Sequence, residues 1–124
     1  MSAESLSRIA RWPDLVAQAK ERGIDYPAVA ARAERGDTQA LRTIFRMTPY
    51  TDGSGSESQC AVLRLLLEAL GDSTFSRALR DESSTLRTRV VQALDFDFGK
   101  PWQKRFPATY ALGMHDTRLL RGTQ

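Results

Sequence analysis

Cysteine and histidine occur once each in this chain of 124 residues, as Cys60 and His115. One cysteine excludes an intramolecular disulfide, and with one histidine it cannot assemble a zinc cluster. Strand-type alternation is nearly absent. Only Asp95-Phe96-Asp97-Phe98 alternates, and four residues without a partner do not make a sheet. The leucine run 65–67 falls far short of the roughly 20 apolar residues that span a bilayer, so no membrane partner is expected. The opening MSAESLSRIARW lacks the apolar stretch of a secretory signal, and a cytoplasmic location is expected. The glycine-bearing GSG at 53–55 runs into Ser56 and Glu57, without the lysine of a phosphate loop. It reads as a flexible connector. The hydrophobic content of 41% excludes intrinsic disorder, and one domain covering 1–124 is the expectation.

Charge is unevenly distributed. Residues 1–98 carry 13 basic and 14 acidic side chains, a balance of −1. Residues 99–124 carry Lys100, Lys104, Arg105, Arg118 and Arg121 against Asp116, a balance of +4. The positive field thus belongs to a C-terminal segment that is also rich in aromatics, whereas a nucleic-acid module spreads cations over a face of its body.

The apolar pattern is helical almost throughout. Leu6, Ile9 and Ala10 fall at helical spacing, and Pro13 opens a second helix with Asp14 in its first turn. Asp25 caps a helix starting at Pro27, Gly36 ends it, and Asp37 caps the next, whose stripe is Ala40, Leu41, Ile44 and Phe45. PYTDGSGS at 49–56 reads as a loop. Residues 57–70 are the most apolar segment and predict a central helix with Glu57, Arg64 and Glu68 on its wet edge. Asp72 caps a short helix after Gly71. Ser83 or Ser84 caps another with Leu86, Val90, Val91 and Leu94 inward, and a last helix covers 107–112. Residues 116–124 have too little apolar content to dock. The expected fold is all-α: six or seven short helices packed as antiparallel hairpins around residues 60–70.

One motif repeats. ARAERGDTQALRTI at 31–44 and LLEALGDSTFSRAL at 66–79 both run from apolar helix through Gly-Asp and Ser/Thr into apolar helix, with the Gly-Asp pairs 35 residues apart. Over residues 27–94 the chain resembles α-helical repeat proteins of the HEAT and tetratricopeptide type, and that resemblance implies stacked helix pairs.

Candidates for chemistry are sparse. His115 has only Asp116 beside it, and chain neighbours rarely face each other. Cys60 lies among Ala61, Val62 and Leu63 and reads as a small hydrophobe. Asp95 and Asp97 form a DxD pair without further oxygen ligands, and read as solvated carboxylates between an inward Phe96 and Phe98. Arg64 reads as the i,i+4 partner of Glu68. An outer face bearing Arg42, Arg46, Arg77, Arg80, Arg87 and Arg89 is interspersed with Asp72, Asp81 and Glu82, and reads as solvated mixed charge. No metal, cofactor or catalytic residue is expected.

The remaining surface is the C-terminal segment with Lys100, Trp102, Lys104, Arg105 and Phe106. The expected course docks Trp102, Phe106 and Tyr110 on the core and leaves the cations as a basic rim for an acidic partner protein. The expectation is therefore a non-enzymatic, protein-binding module of a bacterial cytoplasm, an adaptor or a cognate inhibitor such as an immunity protein. The alternative is a nucleic-acid accessory protein whose exposed rings stack on bases.

Overall fold

The computed structural model describes residues 12–99 and 101–113. Among them every regular element is helical and none is a strand. Helix α1 (Pro13–Glu21) opens on its proline, which needs no amide partner there. Asp25 accepts the Ala28 N–H at 3.4 Å and starts α2 (Tyr26–Glu34). Asp37 accepts the Ala40 N–H at 3.1 Å and starts α3 (Thr38–Met47). A 3₁₀ turn (Thr48–Tyr50) leads to α4 (Gly53–Leu70), and α5 (Asp72–Arg80) follows after one residue. Ser83 caps α6 (Ser84–Phe98) through the Leu86 N–H at 3.2 Å. The chain then makes α7 (Trp102–Arg105) and a helix over residues 107–113, α8. No described helix is long and apolar enough to cross a membrane.

Helix α4 is the centre, packing against α1, α2, α3, α5 and α6. Leu63, Leu66 and Leu67 are fully buried there. The same helix buries one polar group, Gln59. Its Oε1 accepts the Tyr26 hydroxyl, and its Nε2 donates to Ile44 O at 2.8 Å and to Thr48 Oγ1 at 3.1 Å. Polar groups of four residues, from α2, α3, the 3₁₀ turn and α4, thereby satisfy one another inside the core.

The segment 49–56, expected as a loop, is mostly helical: only Thr51 and Asp52 separate the 3₁₀ turn from α4. A tertiary contact overrides its composition. Gln18 of α1 donates to Asp52 Oδ1 at 2.8 Å and Asp52 O at 3.3 Å, and accepts the Asp52 N–H at 3.3 Å. Asp14 accepts the Ser54 hydroxyl. Gly55 leaves room for this tie, since a Cβ there would lie 2.3 Å from Gln18 Oε1.

The two Gly-Asp turns are built differently. Gly36 (φ 95°) precedes Asp37, which caps its own helix. At the second turn Gly71 (φ 85°) both ends α4 and caps α5, so Asp72 is already inside the helix and makes no cap for it. The Asp72 carboxylate instead accepts the Ala108 and Thr109 N–H groups of α8, both at 2.8 Å.

The DFDF stretch is the last turn of α6, not an extended segment. Residues two apart on a helix face nearly opposite ways, at roughly 100° per residue. Phe98 consequently stacks on Trp102 at 5.5 Å, while Phe96 points to solvent. Trp102 and Phe106 are buried, and Tyr110 meets the Trp102 ring edge-on at 5.4 Å. Lys100, His115 and residues 116–124 lie outside the described residues, as does the helix expected around Leu6, Ile9 and Ala10.

Candidate functional site

The C-terminal segment divides its predicted contact residues between core and solvent. Trp102 and Phe106 belong to the core, and Trp102 Nε1 donates to Asp95 Oδ1 at 2.9 Å. Lys104 and Arg105 are exposed. Arg105 reaches Glu68 at 3.5 Å and lies 5.0 Å from the Phe106 ring centroid. This segment therefore presents cations, and its rings close the end of the core.

The DxD carboxylates face different partners. Asp95 holds the indole, and Asp97 accepts Arg64 Nε at 2.5 Å, while Arg64 Nη1 binds Glu68 at 3.0 Å. Among the described residues no group of three or more His, Cys, Asp or Glu side chains is placed to hold a metal ion. Burial pushes the Cys60 thiol above its ordinary pKa, and the Asp97 charge adds to this.

The arginine face is not a plain solvated surface, because Glu82 is buried within it. Its Oε2 accepts Arg42 Nε at 2.5 Å and its Oε1 accepts Arg46 Nε at 3.0 Å. Arg87 Nη1 donates to the Glu82 carbonyl at 2.7 Å. Burial raises the Glu82 pKa, but hydrogen bonds and charge from Arg46 and Arg42 outweigh it and hold the group below its ordinary value. The cluster joins α3 to the turn between α5 and α6.

Beside that cluster runs a furrow which sequence reasoning missed. Its first groove, about 540 Å³, has Ile24, Met47, Pro49 and Leu86 as apolar lining. Tyr50, the guanidinium-bearing Arg22, Arg46 and Arg89, and the hydroxyl-bearing Thr43, Ser83 and Thr85 complete it, with no carboxylate. Arg22 Cζ lies over the Tyr50 ring, 3.4 Å from its centroid. A second groove, about 450 Å³, shares Pro49 and Arg89 with the first and continues past Cys60 and Ala93 to Phe96. Glu57 is the single acidic residue lining either groove. Tyr50 and Phe96, 53% and 72% exposed, are the exposed large hydrophobics of the described chain, and both stand in this furrow.

Signals for the furrow were present in part. Continuing the α6 stripe Leu86, Val90, Val91, Leu94 at helical period places position 98 inward and 96 outward. Tyr50 sits in a stretch whose Pro, Asp, Gly and Ser composition marks a loop, and nothing local reveals its neighbours. No family model matches the chain, and no curated protein or solved structure matches it either.

Proposed function

We propose that this chain is a non-enzymatic protein-binding module that receives an acidic partner protein along the furrow between the 3₁₀ turn, the start of α4 and α6. One observation carries the reading: the two exposed large aromatic residues of the described chain share this one surface. Aromatic residues and arginine in a concave, largely apolar setting are the composition of binding hot spots. Three guanidiniums against Glu57 set the sign of the partner. The basic rim of Lys104 and Arg105 carries the same sign. A cytoplasmic site of action accords with a sole cysteine that is free and buried. Adaptor and cognate-inhibitor roles both fall within this reading.

The test is photo-cross-linking in the native cell, with the reactive side chain placed at position 50, 96 or 104 in turn. The reading expects one and the same protein to be captured from 50 and 96 but not from 104. Purified, that protein should bind the Phe96→Glu variant at least about tenfold more weakly, a loss of about 1.4 kcal/mol or more. Capture from 104 alone would overturn the reading. So would tight binding of a single-stranded oligonucleotide that weakens steeply with salt and ignores Phe96→Glu, which would establish the nucleic-acid alternative.

A further inference from the structure

We infer that the first groove of the furrow is a seat for a phosphomonoester carried on a side chain of the partner protein. The inference rests on the furrow reading and specifies its chemistry. A carboxylate offers two acceptor oxygens and one negative charge, a phosphomonoester three oxygens and close to two charges. This groove holds three guanidiniums, from Arg22, Arg46 and Arg89, and none of its lining residues is acidic. Arg46 shares its charge with the buried Glu82, which also takes Arg42. Arg22 and Arg89 have no ion pair with any described residue. Two guanidiniums without an ion pair among the described residues favour a dianion, and a phosphomonoester near pH 7 carries close to two negative charges on three acceptor oxygens. The Ser83 hydroxyl stands at the same groove and accepts from Leu86 N–H, so its proton is free to donate.

The groove also specifies what surrounds the phosphate. Ile24, Met47 and Leu86 form an apolar floor beside the cations. The Arg22 Cζ already lies 3.4 Å from the Tyr50 ring centroid, a cation–π contact that holds the guanidinium at this groove. The partner segment therefore pairs the phosphate with an adjacent apolar or aromatic group. The second groove, with Phe96 and Glu57, takes the uncharged continuation of that segment.

The test is an NMR titration of the full chain at pH 7.5 with phenyl phosphate, O-phosphoserine and N-acetylaspartate amide as separate probes. The phosphate probes should give saturable shifts at residues 83–89 and at the arginine side-chain resonances, binding about fivefold or more tighter than the carboxylate probe. Arg22→Gln and Arg89→Gln should each weaken phenyl phosphate about fivefold or more, and Lys104→Gln should leave it unchanged. Equal binding of phosphate and carboxylate would overturn the inference. Absence of saturable shifts, or shifts that follow Lys104, would overturn it as well. The furrow reading is separated by the Phe96→Glu comparison of partner binding, since phenyl phosphate is titrated on the parent chain. If the captured partner depends on Phe96 yet binds equally well after phosphatase treatment, the seat fails and the furrow stands. If phenyl phosphate binds while Phe96→Glu leaves the partner's affinity unchanged, the furrow reading fails and the seat stands.

Discussion

Asp72 Oδ1 accepts the backbone N–H of Thr109, 37 positions along the chain, at 2.8 Å. A residue that begins one helix thus caps another. Its position in the first turn of α5 also places its charge at the positive end of that helix.

Removing this carboxylate should loosen α8 before anything else. Asp72→Ala is expected to cost about 1 kcal/mol, the usual value of a lost cap. Amide hydrogen exchange should accelerate at Ala108 and Thr109 while the amides of α5 keep their protection. Asp37→Ala should cost a similar amount but act on its own helix, accelerating exchange at Ala40. Unchanged exchange at both α8 amides would refute the cross-chain cap.

The Glu82 clamp should be visible as pH-dependent stability. Because its folded pKa is depressed, its contribution is complete above the unfolded value of about 4.3 and shrinks as the pH falls below it. It is gone once the pH has passed the folded value. Glu82→Gln is expected to lose about 2 kcal/mol in urea unfolding at pH 7, and the gap from the parent should close in acid. A gap that persists unchanged at pH 2 would show that packing, not charge, holds the turn.

The Tyr26–Gln59 pair should behave as a coupled unit. Burial keeps the Tyr26 hydroxyl protonated, with a pKa well above its ordinary value, so it remains a donor. Gln59→Leu strands that hydroxyl together with the Ile44 carbonyl, and about 2 kcal/mol should be lost. Tyr26→Phe should cost about 1 kcal/mol. The double variant should be more stable than the sum of the two predicts, since neither partner is then left orphaned. Simple additivity in the unfolding cycle would contradict the pairing.

Gly113 should resist even alanine. A Cβ at that position would lie 2.4 Å from Val91 Cβ, an atom fixed to the α6 backbone that no rotamer change can move away. Gly113→Ala is expected to cost about 1–3 kcal/mol, despite the better helix propensity of alanine. In a Val91→Gly background, which removes the opposing Cβ, the same change should cost little or nothing. Thermal melting of the four proteins decides it.

How much of this was legible in the sequence depends on the range of the forces involved. Asp25, Asp37 and Ser83 act within three residues; the sequence pointed to Asp25 and Asp37, and for α6 it left Ser83 and Ser84 as alternatives. Leu63, Leu66 and Leu67 lie on a helix apolar enough that its central place followed from composition. The helical start of α4 did not follow, because Gln18 imposes it from another helix. Glu82 appeared solvated because a carboxylate among arginines looks the same in a sequence whether its neighbours bury it or not. Phe96 was placed inward by a strand period applied to four residues that continue a helix. The furrow joins α1, α3, the 3₁₀ turn, α4 and α6, and no local pattern encodes such a meeting.

Five polar ties between distant segments have similar spans. Gln18 to Asp52 covers 34 positions, Tyr26 to Gln59 covers 33, Arg42 to Glu82 covers 40, Arg64 to Asp97 covers 33, and Asp72 to Ala108 covers 36. Loop-closure entropy grows with the logarithm of loop length, so the shortest and longest of these differ by only about 0.2 kcal/mol. Each tie joins a helix to a segment two or three helices later, and none waits for the opposite end of the chain. The fold can therefore assemble in chain order as the polypeptide emerges N-terminus first, each new helix finding its partner about 40 residues behind it. The contact between Asp72 and α8 closes last, and pulse-labelled exchange during refolding should show the Ala108 and Thr109 amides as the final ones to gain protection.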